Sequence, residues 1–135
     1  MEQPPDPTPA TGGAPTETEL PRIANAGSRA RRVIDAHLHA HVSRRGLDDV
    51  KIVASELVNN AVVHGAGRIT LRTQLQDGVV RVEVVDEGTG NTPAIRESAE
   101  PTEPGGQGLR IVESLSRRWG TFEGTTHVWA DVPVA

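Results

Sequence analysis

The chain has 135 residues, 14 basic and 18 acidic side chains, a net charge of −4 and no cysteine. That length suits one domain with a true hydrophobic core, and the missing cysteines exclude disulfides and thiolate metal sites. No apolar run approaches the ~18–20 residues of a membrane span, and two Trp with one Phe are too few for base-stacking platforms.

Charge is unevenly placed. Glu2, Asp6, Glu17 and Glu19 lie in residues 1–20 with no Lys or Arg among them, and they account for the whole net charge. The remaining body is balanced, which argues against a nucleic-acid partner, because phosphate binding needs a basic surface. Residues 1–20 also hold Pro4, Pro5, Pro7, Pro9 and Pro15. Such a segment buries too little apolar surface to offset ordering, so a disordered acidic tail is expected there and a folded domain over 21–135. Neither a secretory signal nor an Arg-rich transit peptide is read at the start, so a cytoplasmic protein is expected.

In chain order, Ala30, Val33, Ile34, Leu38 and Val42 recur at helical spacing over 24–43, and Arg44-Arg45-Gly46 reads as the stop of that helix. A second helix is expected over 47–64, with Val50, Val53, Ala54, Leu57, Val58 and Ala61 as its buried stripe and His64-Gly65 as its end. The period then changes to two. Residues 69–75 and 79–85 read as strands joined by Asp77-Gly78, a strong hairpin signal. Residues 87–105 form a long aperiodic segment, of a length that is usually functional inside a small domain. A third helix is expected over 108–118, and a final hairpin from strands 119–122 and 127–134. Hairpin-joined strands pair antiparallel. The expected class is therefore α+β: a two-layer sandwich whose antiparallel-dominated mixed sheet carries helices on one face.

Three blocks carry the chemistry. Glu56 and Asn60 are four residues apart on the second helix and share a face, with His64 a further turn along. A carboxylate and an amide in so apolar a helix need partners or a cavity. Asp86-Glu87-Gly88-Thr89-Gly90 closes a core strand, where a carboxylate can accept an amine hydrogen bond while glycines let a planar ring approach the backbone. Gly105-Gly106-Gln107-Gly108 opens the third helix, where backbone N–H groups and the dipole favour an anion. Singly, the blocks also read as a polar helix edge, an Asp-Gly turn and a flexible helix entry. Dinucleotide and P-loop fingerprints fail: Pro93 and Ile111 stand where a third glycine would fall, and no Gly-Lys-Ser/Thr occurs.

Taken together, Glu-x-x-x-Asn, Asp-x-Gly-x-Gly, a long loop and Gly-x-Gly at a helix start resemble the GHKL (Bergerat-fold, histidine-kinase-like) ATPase superfamily. Within it the chain is similar to the small bacterial anti-sigma-factor serine/threonine kinases. The resemblance covers about residues 20–134 and includes Ser55-Glu56-Leu57-Val58-Asn59-Asn60-Ala61, His64 and Arg118-Trp119-Gly120. It implies ATP and Mg²⁺ as cofactors, with Asn60 holding the Mg²⁺ that bridges the phosphates and Glu56 as general base. It also implies that Asp86 accepts from the adenine amino group, Gly88 and Gly90 flank the base, and Gly106, Gln107, Gly108 and Leu109 form the phosphate cradle, under a lid over 89–105. A STAS-type anti-anti-sigma protein is the implied substrate, with a sigma factor as a second candidate partner and a homodimer as a candidate assembly. The alternative is a non-catalytic ATP-binding regulator that sequesters a protein partner. Two departures motivate it: Gln107 stands where the family often has a basic residue, with Arg96 and Arg110 nearby, and Thr126-His127-Val128-Trp129 replaces Lys-Thr-Val-Trp. His37, His39 and His41 read as surface histidines.

Overall fold

Ser43 starts the helix around which the rest is built. Its backbone is extended, and its Oγ accepts the Gly46 N–H at 3.0 Å, the geometry of an N-cap. The computed structural model describes residues 15–88, 106–121 and 127–134. In it α1 spans Ala26–Leu38 and α2 spans Arg44–His64. Arg44, Arg45 and Gly46 thus open α2 rather than close α1, a correction of the sequence reading. The two cations run against the dipole at that end, but the Ser43 cap and the need for a residue without a side chain at 46 override them. A Cβ on Gly46 would lie 2.7 Å from Val134 Cβ, and Ser43 Oγ also donates to Val134 O at 3.1 Å. Gly46→Ala should therefore destabilise the protein by about 1–3 kcal/mol, the usual cost of overpacking, and a thermal melt would register it.

The expected stripe of α2 is buried: Val50, Val53, Ala54, Leu57, Val58 and Ala61 all face the core. Each Val or Leu so placed contributes about 1.5–3 kcal/mol relative to exposure. Beneath it lies a five-stranded sheet in the order β1-β2-β3-β5-β4: β1 (Thr16–Leu20), β2 (Ile69–Gln76), β3 (Val79–Val85), β4 (Arg118–Thr121) and β5 (Val128–Pro133). All four pairings among the described residues are antiparallel, in keeping with the antiparallel-dominated sheet expected. Asp77 and Gly78 both have positive φ, 51° and 75°, as a type I′ hairpin between β2 and β3 demands. In β3, Val80, Val82 and Val84 turn to the core opposite Leu75, Thr73 and Leu71 of β2 and Val132, Ala130 and Val128 of β5. Helix α2 packs on β2, β3 and β5, α1 on β1, and α3 (Gly106–Leu115) on β4 and β5. The expected two-layer α+β architecture results.

Two boundaries differ from expectation. Residues 16–20 are an edge strand, not tail: Thr18 and Leu20 pair with Leu71 and Ile69, and Glu17 meets Arg72 at 2.6 Å. Their period-two pattern is real but short, and it follows directly on the proline-rich stretch. Residues 1–14 lie outside the described residues. Helix α3 begins at Gly106 and ends at Leu115, short of the expected 118. Asp131 explains the early end, because its carbonyl accepts the Arg117 N–H at 2.7 Å and its carboxylate receives Arg118.

Candidate functional site

Helix α2 has two unlike sides. Asn60 is 7% exposed, and its Nδ2 is buried with no partner among the described residues. An unmet amide of this kind costs about 1–3 kcal/mol unless something fills the place beside it. Glu56 lies one turn earlier, half-buried, on the outer stripe with Ile52, Asn59 and Val63. Ile52 and Val63 are exposed, so the stretch 52–63 is not enclosed on most sides as its composition suggested.

At its C-terminal end α2 meets the exit of β3. The Gly65 N–H closes the helix on Ala61 O at 2.9 Å. Here a glycine is needed for space, not for φ: a Cβ would stand 2.2 Å from Asp86 Oδ2. Asp86 Oδ1 accepts the Gly88 N–H at 2.6 Å, so the carboxylate is held from both sides. Glu87 locks the same turn. Its N–H donates to Ala66 O at 2.8 Å, and its Oε1 accepts the Arg68 N–H at 2.6 Å. Asn60 and Asp86, 26 positions apart in sequence, are thereby brought to one end of α2.

The third block stands on a helix that packs against α2: α3, with Gly106, Gln107 and Gly108 in its first turn. Its first backbone N–H groups lack intrahelical partners and carry the positive end of the dipole. Leu109 is 1% exposed and belongs to the core, so only its backbone remains for a phosphate. Gly90, the expected lid over 89–105 and Thr126 lie outside the described residues. His127 points away: its Nε2 is 2.7 Å from Glu83 Oε2, on the sheet face opposite the helices. His37, His39 and His41 assemble no metal cluster, and among the described residues no group of three or more His, Asp or Glu does. No helix there is long and apolar enough to cross a membrane. Gly65 and Glu87 escaped the sequence reading as site residues. Only the adjacency of His64-Gly65 to the Glu56–Asn60 helix hinted at the first.

Residues 21–130 match the histidine kinase-like ATPase domain family, which spans all three blocks. The chain belongs to that family. This histidine kinase-like domain is similar to anti-sigma F factors of Clostridium acetobutylicum, 35% identical over 80 residues, and Geobacillus stearothermophilus, 38% identical over 81. In both cases the match takes 51% of this chain and 55% of the relative, so the chain spans about half the length of the curated relatives it matches. Among solved structures it resembles the RsbU and RsbW domains of a Mycobacterium tuberculosis protein, with a TM-score of 0.64 and 24% identity over 89% of this chain and 32% of that one. The likeness supports the fold of the domain. A nucleotide fits the residues present: an amide with an unpartnered Nδ2 and a carboxylate at a strand exit lie toward one end of α2, and the helix that packs on α2 opens on glycines.

Proposed function

We propose that this domain binds Mg·ATP and acts as a serine/threonine kinase of the anti-sigma-factor type on a STAS-type anti-anti-sigma protein, with a sigma factor as its second partner. The observation that carries the reading is Asn60: a buried amide whose Nδ2 has no partner among the described residues, one turn from Glu56 and near the turn that fixes Asp86. Asn60 offers a hard oxygen ligand of the kind Mg²⁺ takes, and bound Mg²⁺ supplies charge neutralisation on the phosphates. Asp86 selects adenine through its amino group. The first turn of α3 receives phosphate oxygens on its N–H groups. Glu56, on the outer and more accessible side of α2, accepts the proton of the attacking hydroxyl. The hydroxyl oxygen then bonds to the γ-phosphorus, the bond to the β-phosphate oxygen breaks, and ADP leaves.

One observation favours a second reading, a non-catalytic ATP-dependent regulator. His127 stands where the family has a nucleotide-side threonine, and its Nε2 is 2.7 Å from Glu83 on the sheet face opposite the helices. Calorimetric titration with Mg·ATP, with Mg·GTP as control, tests the shared part of both readings, and binding of ATP alone is the expected result. Phosphotransfer to STAS proteins then separates them. Glu56→Gln should keep ATP affinity within about twofold and slow transfer by about 100-fold, the low end of general-base effects. Transfer undiminished in that variant would remove Glu56 from catalysis, and ATP binding without transfer to any STAS protein would leave the second reading.

A further inference from the structure

Arg22 lies in the linker between β1 and α1, far in sequence from every block of the site. Its Nη1 donates to Ala61 O at 2.6 Å and Val62 O at 2.9 Å, and its Nε to Gly67 O at 3.1 Å. The first two acceptors are last-turn carbonyls of α2 at the negative end of the dipole, and Ala61 O takes the guanidinium in addition to the Gly65 N–H. The third belongs to the turn that holds Asp86. One guanidinium therefore clamps the helix that carries Asn60 to the turn whose other side carries Asp86 and Glu87.

The contacts run without a gap. Ala61 O also receives Gly65 N–H, Gly65 packs on Asp86 Oδ2, and Ala66 O receives Glu87 N–H. Gly67, bonded by Arg22, lies against Glu87, whose Oε1 takes the Arg68 N–H. A planar fork can bridge three carbonyls on two segments, whereas an ammonium is a point donor that cannot keep that geometry.

We infer that Arg22 is a positioning residue for nucleotide recognition: it sets the distance between the amide of Asn60 and the carboxylate of Asp86 by tying the end of α2 to the 65–68 turn. The inference rests on the proposed nucleotide site, and misplacement of a binding group by about 1 Å is enough to cost large factors.

The test uses the full chain with Arg22→Ala and Arg22→Lys, and two readouts. The first is amide hydrogen exchange at Arg68, Glu87 and Gly88, whose N–H groups bond Glu87, Ala66 and Asp86. In Arg22→Ala these three should exchange about tenfold faster, while Val82 and Ala130 in the sheet stay as in the parent, and Arg22→Lys should recover only part of the protection. The second is the affinity for Mg·ATP and Mg·GTP, measured well below the melting temperature. The ATP dissociation constant should rise about tenfold and the preference over GTP should shrink, as expected for a lost charge-assisted bond. Unchanged exchange at the three amides overturns the inference. So does a uniform acceleration that reaches Val82 and Ala130 with ATP selectivity intact, which is a merely structural role. If the parent protein binds no ATP, the proposed function fails, and the exchange pattern still decides whether Arg22 holds the turn.

Discussion

Gly65→Ala is expected to weaken Mg·ATP binding by about 100-fold, although residue 65 offers a nucleotide no side chain. The added methyl carbon would sit 2.2 Å from Asp86 Oδ2 and 2.7 Å from Ala61 O, and the second of these is backbone that cannot swing aside. Asp86 must therefore move, losing the Gly88 bond or the aim at the adenine amino group proposed for it. A hydrogen bond to a charged group is worth about 1.5–3 kcal/mol, and its upper end corresponds to the expected factor. Asp86→Ala should weaken binding to a similar degree. Because both substitutions act through one carboxylate, the double variant should be no worse than either single one, and that non-additivity is the discriminating result. Additive losses in a calorimetric cycle would mean that Gly65 serves the site by a route other than Asp86. Circular dichroism must show the helical signal retained, since overpacking also costs about 1–3 kcal/mol of stability.

What the sequence made legible was whatever sits in one contiguous run. The stripe from Val50 to Ala61 and the Asp77-Gly78 turn each declare themselves within a dozen residues, and the structure forms both where the pattern lies; the three motif blocks are likewise contiguous runs. The missed features depend on contacts between distant segments. Arg22 reaches residues 39–45 positions away, and Glu87 caps a turn 19 positions earlier. No local periodicity encodes such pairings. The start of α2 failed for another reason. Arg44-Arg45-Gly46 is a good stop signal taken alone, and it is outvoted by the Ser43 cap and by Val134, which arrives from the far end of the chain. The strand at Thr16–Leu20 is only five residues long and follows a proline-rich stretch whose composition masked it. The same limit hid the second face of the sheet: that Trp129, Asp131, Arg81 and Arg118 meet there follows from the register of β3, β4 and β5, which no single run contains.

That face supplies the largest expected effect on stability. Asp131 is 6% exposed and is gripped by two arginines: Arg81 Nε and Nη2 at 2.7 and 2.9 Å, and Arg118 Nε at 2.9 Å. Both guanidiniums also approach the Trp129 ring, at 4.6 and 5.6 Å from its centre. Removing one partner of a buried pair costs about 3–5 kcal/mol because the other charge is left behind. Arg118 is half exposed and can turn to water, so Asp131→Ala should lie near the lower end, about 3 kcal/mol, or roughly 10 °C of melting temperature for a chain of this size. The loss must also depend on pH. Burial pushes the Asp131 carboxyl up, but the hydrogen bonds and positive charges of Arg81 and Arg118 together outweigh it and hold the group below the usual carboxylate range. A carboxyl lowered on folding binds fewer protons in the native state than in the unfolded one. Its contribution is therefore complete above the unfolded value, near pH 4, and fades as pH falls through the lower folded value. Glu83, held down by its bond to His127, adds a loss of the same sign. Melts of the parent and Asp131→Ala should differ fully at pH 7 and converge below about pH 4. A gap that stayed constant down to pH 2 would show that Asp131 stabilises the sheet by packing alone.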